Sequence, residues 1–187
     1  MQKRHHFIPD SYQRNFINNE GKVWVLDKEK KLFQTNPTNI FAEAYFYLLP
    51  GTTEEEQLRV ENLLGLIETD FGAIYKEKIN IGLQMTQMEK GKLSYFVACM
   101  YLRTKFMRNQ NLDMYKKMRS AMQEWGEHYK NMSDEQKETF ASLHHSSDSA
   151  TITIDDMDYA IENNNEIHTE QLISLLPEIA DILFNME

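Results

Sequence analysis

The sequence predicts a mainly α fold, a helical bundle with a small β-hairpin near its N-terminus. Residues 51–187 repeatedly place apolar side chains at helical spacing, and several serines and threonines precede a Glu or Gln by three positions, as in helix capping boxes. A single stretch, KVWVLDKEKKLFQT, alternates as a pair of strands would. The length of 187 residues suits one domain, 1–187, with an extended segment and hairpin over 1–50 and helices over 51–187.

The first 50 residues are predicted to be extended rather than helical. A residue that precedes proline favours extended backbone, so Arg4–Ile8 ahead of Pro9 is expected to form a short strand-like segment. Lys22–Asp27 and Lys31–Thr35 then form the hairpin, although its turn lacks the usual Asn-Gly pair. A helical turn is predicted after Pro9 and before the hairpin, and its Phe16 is expected to face the core.

The remaining residues are predicted to form a series of helices. The first runs from about 54 to 79, capped by Thr53 with Glu56. Thr86 with Glu89 opens a stretch that is either one long helix or two helices with a break near residues 109–111. Pro177 kinks or restarts the last helix. Further caps open the later helices: Ser133 with Gln136, Thr153 with Asp156, and Thr169.

Composition excludes several classes of protein. One cysteine, Cys99, excludes an internal disulfide framework and a multi-cysteine zinc site, and its apolar surroundings favour a buried residue over a nucleophile. We find neither a signal peptide nor an apolar run of the roughly 18 residues that span a membrane. The sequence therefore predicts a soluble, cytoplasmic protein without a membrane partner.

Charge is unevenly distributed along the chain. Residues 1–110 carry 15 Lys and Arg against 13 Asp and Glu, a net of +2, whereas residues 111–187 carry 5 against 16, a net of −11. The overall charge of −9 argues against a general nucleic-acid coat protein. It leaves open a local site for a nucleic acid or nucleotide in the first half, and a protein-binding surface in the acidic C-terminal third.

The opening residues, RHHFIPDSYQRNF, are the candidate functional site. Neighbouring side chains of an extended segment point to opposite sides, so either His5 or His6 is expected to face the site as a catalytic residue. Arg4, Arg14 and Arg103 are the candidate substrate-binding residues. Imidazole beside guanidinium groups suits a phosphate or carboxylate ligand, because arginine donates bidentate hydrogen bonds and histidine exchanges a proton near neutrality. No metal ligand is assigned, and a divalent metal is a possible cofactor.

The same residue types also fit a purely structural role. A buried histidine bonded to a backbone carbonyl and an arginine bonded to the hairpin would give the same pattern. Arg103 lies in an apolar helix and would then be a surface residue that lays its stem along the core. His144–His145 fall in a polar loop that is typical of exposed histidines, and His128 and His168 are expected at helix ends.

Four segments in order carry a family resemblance: HHFIPDSYQRNF, KVWVLDKEKKLFQTNPTNIFAEAYFY, VENLLGLIETDFGAIYKEKI and FVACMYLRTKF. They resemble the bacterial and phage domain-of-unknown-function family four-two-three-eight, over about residues 3 to 108. Gln13 and Lys105 depart from that pattern, where leucine and proline are usual. Family members usually continue with a tryptophan-bearing strand and an S-D-x-P segment, so the chain resembles a short or N-terminal member. The matching positions are His5, His6, Pro9, Tyr12, Arg14, Phe16, Trp24, Tyr47, Glu68 and Arg103.

The opening is also similar to that of HNH-type nucleases, in which a histidine activates water beside one metal ion, but no second metal ligand follows at the expected spacing.

Two hypotheses about function follow from the sequence. One is a site for a phosphodiester or nucleotide at the histidine–arginine segment, of the kind found in a metal-dependent nuclease, which requires Arg103 to lie close to the histidines. The other is a non-enzymatic, acidic helical module that binds a protein partner, as in phage–host conflict or regulation. Whether the protein is an enzyme is left open.

Overall fold

A computed structural model describes residues 4–44, 46–47, 53–143 and 152–186. It confirms a mainly α fold with a small β-hairpin. The chain forms two compact units, one from residues 1–108 and 165–187, the other from residues 109–164. The single domain stays a prediction. None of the helices in the described part is long and apolar enough to cross a bilayer.

The predicted extended segment at the N-terminus is a strand. β1, Arg4–His6, pairs antiparallel with β4, Ala42–Ala44, so that His5 lies opposite Glu43. The predicted hairpin is confirmed as β2, Val23–Leu26, paired with β3, Leu32–Thr35. The sequence did not predict β4, because three residues give too short an alternating pattern to recognise.

The hairpin turn forms without an Asn-Gly pair. Lys30 adopts a φ of 63°, in the left-handed region that such turns require. Asp27 supports it, since its Oδ1 accepts a hydrogen bond of 2.8 Å from the backbone N–H of Lys31. An aspartate side chain and one strained lysine thus replace the usual glycine.

The first long helix is confirmed. α2 spans Glu54–Ile74, and a π-helical turn, Tyr75–Ile79, extends it to the predicted end. The side chain of Glu56, one half of the predicted cap, lies outside the described side chains. α1, Asp10–Gln13, precedes the hairpin and continues into a 3₁₀ turn, Arg14–Phe16.

The next stretch contains two helices, and the prediction that they break near residues 109–111 is wrong. α3 spans Gln87–Leu102 behind the predicted Thr86 capping box, and α4 spans Lys105–Lys130. The break falls at Arg103–Thr104. The Thr104 hydroxyl caps α4, accepting a hydrogen bond of 3.2 Å from the N–H of Met107. The helix propensity of the local sequence does not drop at this break. The break instead coincides with Arg103, whose side chain is held by residues that are distant in sequence.

The second unit also holds α5, Asp134–Leu143, and α6, Ile154–Glu162. Their predicted caps are confirmed at Ser133 and Thr153. The polar loop with His144 and His145 lies outside the described residues.

The last helix starts earlier than predicted. α7 spans Asn164–Phe184, whereas Thr169 was expected to cap it. Thr169 is fully buried inside the helix, and its hydroxyl donates a hydrogen bond of 2.8 Å to the Asn165 carbonyl. Pro177 also lies inside α7. A threonine that bonds to its own helix has the same local sequence signature as a cap.

The core of the first unit joins α2, α3 and α7. The rings of Phe71 and Phe96 stack with centroids 3.7 Å apart, and Tyr12 from α1 packs on both. Phe16, which was expected in the core, is 59% exposed, because Tyr12 occupies that position. The cluster of buried residues is formed by Phe46, Tyr47, Val60, Leu64, Ile67, Phe71, Phe96, Ala98, Cys99, Leu102, Leu172, Leu176 and Ala180.

Candidate functional site

A cavity of about 250 Å³ lies where β1 and α1 meet α2 and the C-terminal end of α3. Both histidines of the opening segment line it, together with Arg103 from the break between α3 and α4. We call it the histidine cavity. Its described lining residues are His5, His6, Asp10, Tyr47, Glu61, Leu64, Gly65, Glu68 and Arg103.

His5 is held in one tautomer by the fold. Its ring is buried and stacks on Tyr47 at a centroid distance of 5.5 Å. The backbone N–H of Tyr47 donates to His5 Nδ1 at 3.0 Å, so Nδ1 must be unprotonated and the neutral ring carries its proton on Nε2. Nε2 lies 3.0 Å from Glu61 Oε1. His5 Nε2 is thus within ion-pair distance of Glu61 but not in hydrogen-bond geometry with it, whereas its basic nitrogen, Nδ1, is already occupied.

His6 differs from His5 in its neighbours. The Nε2 atoms of both rings are buried without a hydrogen-bond partner among the described residues, but only that of His5 lies beside a carboxylate in ion-pair distance. The backbone carbonyl of His6 accepts hydrogen bonds from the Tyr47 hydroxyl, at 3.3 Å, and from Nη2 of Arg103. The main chain of His6 is thus fixed while its imidazole keeps an unused nitrogen. Both histidines line the cavity, whereas the alternation of a strand predicted only one.

Arg103 is buried, with 3% of its surface exposed, so the interpretation as a surface arginine is wrong. Its Nε donates to the Tyr47 hydroxyl at 2.9 Å, and its Nη1 donates to Glu68 Oε1 at 2.8 Å. Burial opposes the charge of Arg103, but Tyr47, Cys99 and Glu68 outweigh it and raise the pKa of the guanidinium. For the Tyr47 hydroxyl, burial acts in the other direction and raises the pKa, and it outweighs the opposing effect of Arg103. Tyr47 therefore stays protonated and can donate a hydrogen bond.

Three carboxylates line the histidine cavity, and this sets its charge. The lining residues Asp10, Glu61 and Glu68 stand against one lining guanidinium, that of Arg103, which gives the lining a formal net charge of −2 when both histidines are neutral. Asp10 Oδ2 accepts from Arg14 Nε at 2.6 Å, but the buried Oδ1 lacks a partner among the described side chains and backbone. A cavity with this lining repels a bare anion and attracts cations.

The other two candidate arginines lie outside this lining. Arg4 is exposed and donates from Nη2 to the Asn39 carbonyl at 2.8 Å. Arg14 reaches only the rim, through Asp10, and its side chain is 53% exposed. The structure therefore brings His5, His6 and Arg103 together and leaves Arg4 and Arg14 on the surface.

Reasoning from the sequence missed two of the carboxylates. Tyr47 and Glu68 were among the positions that carried the family resemblance, but Asp10 and Glu61 were not. Glu61 lies seven residues before Glu68, which puts the two side chains on one face of α2. That spacing was a usable signal, although two glutamates on a helix usually mark a solvated face.

Metal ligation and the remaining histidines give little further support for a functional site. In the ranges that the structure describes, no three His, Cys, Asp or Glu side chains are close enough together to hold a metal ion by themselves. His168, which was expected at a helix end, is buried within α7 against the ring of Phe46. His128 is exposed beside Trp125 on α4.

The comparison with protein families is decisive for kinship. The family model described as Protein of unknown function (DUF4238) matches residues 4–187. The chain belongs to DUF4238. The match extends well beyond residue 108, where the sequence resemblance ended, so the later helices belong to the DUF4238 pattern as well. No curated protein and no solved structure matches the chain.

Proposed function

We propose that the histidine cavity of this DUF4238 member is a hydrolytic site for a phosphodiester substrate that enters with a divalent cation. The observation that carries the proposal is the buried, unpartnered Nε2 of His6 in the same cavity as Arg103 and three carboxylates. An imidazole nitrogen without a partner in the described structure is available to accept a proton. Buried polar atoms without partners are uncommon, and functional sites are one place where they persist.

The divalent cation is part of the proposal because of the charge of the cavity. A net lining charge of −2 opposes a phosphate group unless a cation lies between them. Mg²⁺ commonly binds through one or two carboxylates together with substrate phosphates, so it does not require three protein ligands. Asp10 Oδ1, which is unpartnered within the described chain, is the first candidate ligand.

The roles of the other residues follow from their hydrogen bonds. His6 takes a proton from water as the water oxygen attacks phosphorus. The alkoxide leaving group departs with the electron pair of the broken P–O bond and takes a proton from solvent, to which His6 gives up its own. His5 and Glu61 hold β1 in place, and Arg103 fixes the His6 backbone. Arg103 is thus a positioning residue, because its Nε, Nη1 and Nη2 all donate to protein groups.

The substrate class that fits best is a nucleic acid. Arg4 and Arg14 are exposed cations on β1 and on the 3₁₀ turn that follows α1, where they would contact neighbouring phosphates of a strand whose scissile group enters the cavity. A nucleotide offers fewer such phosphates, so it makes less use of the two arginines.

Cleavage of labelled DNA and RNA with Mg²⁺, Mn²⁺ or Zn²⁺ tests the proposal. The assay contains a reductant, because the chain has one free cysteine. A cytoplasmic location stays a prediction. We expect metal-dependent cleavage that His6→Ala abolishes. His128→Ala is the matched control, since His128 is an exposed histidine on α4.

Two further variants separate chemistry from folding. Asp10→Asn keeps the shape of the side chain and should reduce cleavage while shifting the metal concentration that gives half-maximal rate. Arg14→Gln should weaken substrate binding and lessen its salt dependence. If no nucleic acid is cleaved with any metal while His6→Ala keeps its circular dichroism spectrum and unfolding midpoint, the hydrolytic proposal is wrong.

A second candidate function concerns the unit formed by residues 109–164. It carries 5 Lys and Arg against 11 Asp and Glu, a net of −6. Trp125 and Tyr129 pack against Phe140 and yet are 46% and 39% exposed. Exposed aromatic rings among acidic residues suit a protein partner with a basic rim. We expect such a partner to be captured by the protein and lost with Trp125→Ala, but retained with Trp24→Ala, whose tryptophan lies in the other unit.

A further inference from the structure

A second cavity, of about 280 Å³, lies beside the hairpin of the first unit. We call it the hairpin cavity. It is bounded by β2, by α1 with its 3₁₀ turn and by the residues just before β4. Its described lining is apolar except for one amide, one phenol and one indole N–H: Ile8, Tyr12, Gln13, Phe16, Val23, Trp24, Val25, Leu26, Ile40 and Phe41.

Gln13 supplies a hydrogen-bond acceptor to this apolar lining. The residue is 4% exposed, and its Nε2 donates to the Ile8 carbonyl at 2.8 Å. Because a carbonyl can only accept, that bond fixes which end of the amide is nitrogen and leaves Oε1 as the other end. Oε1 is buried and receives no donor from the described residues. A buried amide oxygen without a donor is unfavourable unless something else supplies the donor.

Two features of the walls point to a ligand as well. Phe41 has a φ of 54°, a left-handed conformation that is rare for a bulky side chain and that concentrates at binding sites. Phe16 and Trp24 line the cavity with rings that are 59% and 58% exposed. A flat apolar molecule against these rings would remove their apolar surface from water.

We propose that the hairpin cavity binds a small, flat, apolar molecule that carries one N–H or O–H donor for Gln13 Oε1. A volume of about 280 Å³ lies just below the roughly 300–1,000 Å³ of cavities for drug-sized ligands, so the ligand has the size of two fused rings. A lining without Lys, Arg, Asp or Glu makes a charged ligand unsuitable. This inference is independent of the chemistry proposed for the histidine cavity.

A matched pair of probes tests the donor. 2-Naphthol carries one O–H group, whereas 2-fluoronaphthalene has nearly the same shape and no donor. Binding to the full chain is followed by NMR titration of the indole N–H of Trp24, with the indole of Trp125 as an internal reference. We expect 2-naphthol to bind about five- to tenfold more tightly, the ratio that one neutral hydrogen bond gives. Equal affinities, or no shift of the Trp24 signal at millimolar probe, would overturn the proposal.

A matched pair of variants tests the position. Phe16→Ala removes a wall of the cavity, whereas Phe106→Ala removes a phenylalanine that is 64% exposed and lies outside the described lining. Phe16→Ala should weaken 2-naphthol binding about fivefold or more, and Phe106→Ala should leave it unchanged. Equal losses in both variants, with both still folded, would mean that the probe binds elsewhere.

Discussion

A single residue, Arg103, organises the histidine cavity. It links the start of the chain, through the His6 carbonyl, to Tyr47 and to Glu68 on α2. These partners lie 97, 56 and 35 residues away in sequence. The buried guanidinium thus joins three distant parts of the chain at one point. Arg103 directly follows the last residue of α3, so the helix ends where these contacts are made.

We predict that Arg103→Lys destabilises the protein by about 3 kcal/mol. Lysine keeps the charge but cannot donate to three groups in a planar fork, so buried acceptors lose their partners. Urea unfolding followed by circular dichroism measures the change in free energy. Arg119→Lys is the control, because the ion pair of Arg119 with Asp158 is partly exposed, at 35% and 41% of the two side chains, and its loss should matter much less.

His168 is another buried ionisable residue whose protonation the fold determines. Burial, helped by the nearby charge of Arg108, lowers the pKa of His168 from 6.5 to about 4. Neither ring nitrogen has a hydrogen-bond partner in the described part of the chain. The imidazole is therefore a neutral packing group against Phe46.

We predict that stability falls as pH is lowered from about 6.5 to about 4. In that range the unfolded chain binds a proton at residue 168 that the folded chain does not, so acid favours unfolding, by about 3 kcal/mol at the lower limit. His168→Leu should flatten this slope and keep full stability at pH 7, since no hydrogen bond from the ring to a described residue is lost. Urea midpoints measured across the pH range, with His128→Leu as control, test this. An unchanged slope in His168→Leu would contradict it.

At the scale of elements, the helix starts depend on a few hydroxyl side chains. The capping box at α3 is complete: the Thr86 hydroxyl accepts from the N–H of Glu89 at 3.2 Å, and the Glu89 carboxylate accepts from the N–H of Thr86 at 2.6 Å. This helix leads to Arg103, so its start also affects the histidine cavity.

We predict that Thr86→Val lowers the free energy of unfolding by about 1 kcal/mol, because valine has nearly the shape of threonine without its hydroxyl. Thr86→Ser, which keeps the acceptor, should stay close to the parent. Thermal and urea unfolding compare the three chains. A loss in the serine variant as large as in the valine variant would argue against the cap.

At the scale of the whole molecule, one unit is interrupted by the other. The first unit combines residues 1–108 with residues 165–187, and every member of its buried cluster lies in those two ranges. Its two ends are close at the interruption, since Arg108 Nη1 donates to Asn165 Oδ1 at 3.0 Å.

We predict that a short glycine–serine linker in place of residues 109–164 leaves the first unit folded. The core, the histidine cavity and the hairpin cavity all belong to the retained residues. Near-ultraviolet circular dichroism and a cooperative urea transition would report the folded state. A chain without a cooperative transition would mean that the first unit depends on residues 109–164 for folding.

By itself, the sequence determined the local elements of this protein. The hairpin, the helix from Glu54 and the caps at Thr86, Ser133 and Thr153 were predictable because period, turn chemistry and capping act over a few residues. That Arg103 should lie near one of the histidines was also anticipated, as a condition of the phosphodiester hypothesis, but the placement of both in one cavity was not.

Only the tertiary structure decided how those elements meet. The break at Arg103, the burial of Thr169, the exposure of Phe16 and the carboxylates Asp10 and Glu61 beside the histidines all depend on contacts between distant segments. A local pattern records which side chains share a helix face, but it contains no information on which face another segment will cover. The charge of the histidine cavity follows from that covering.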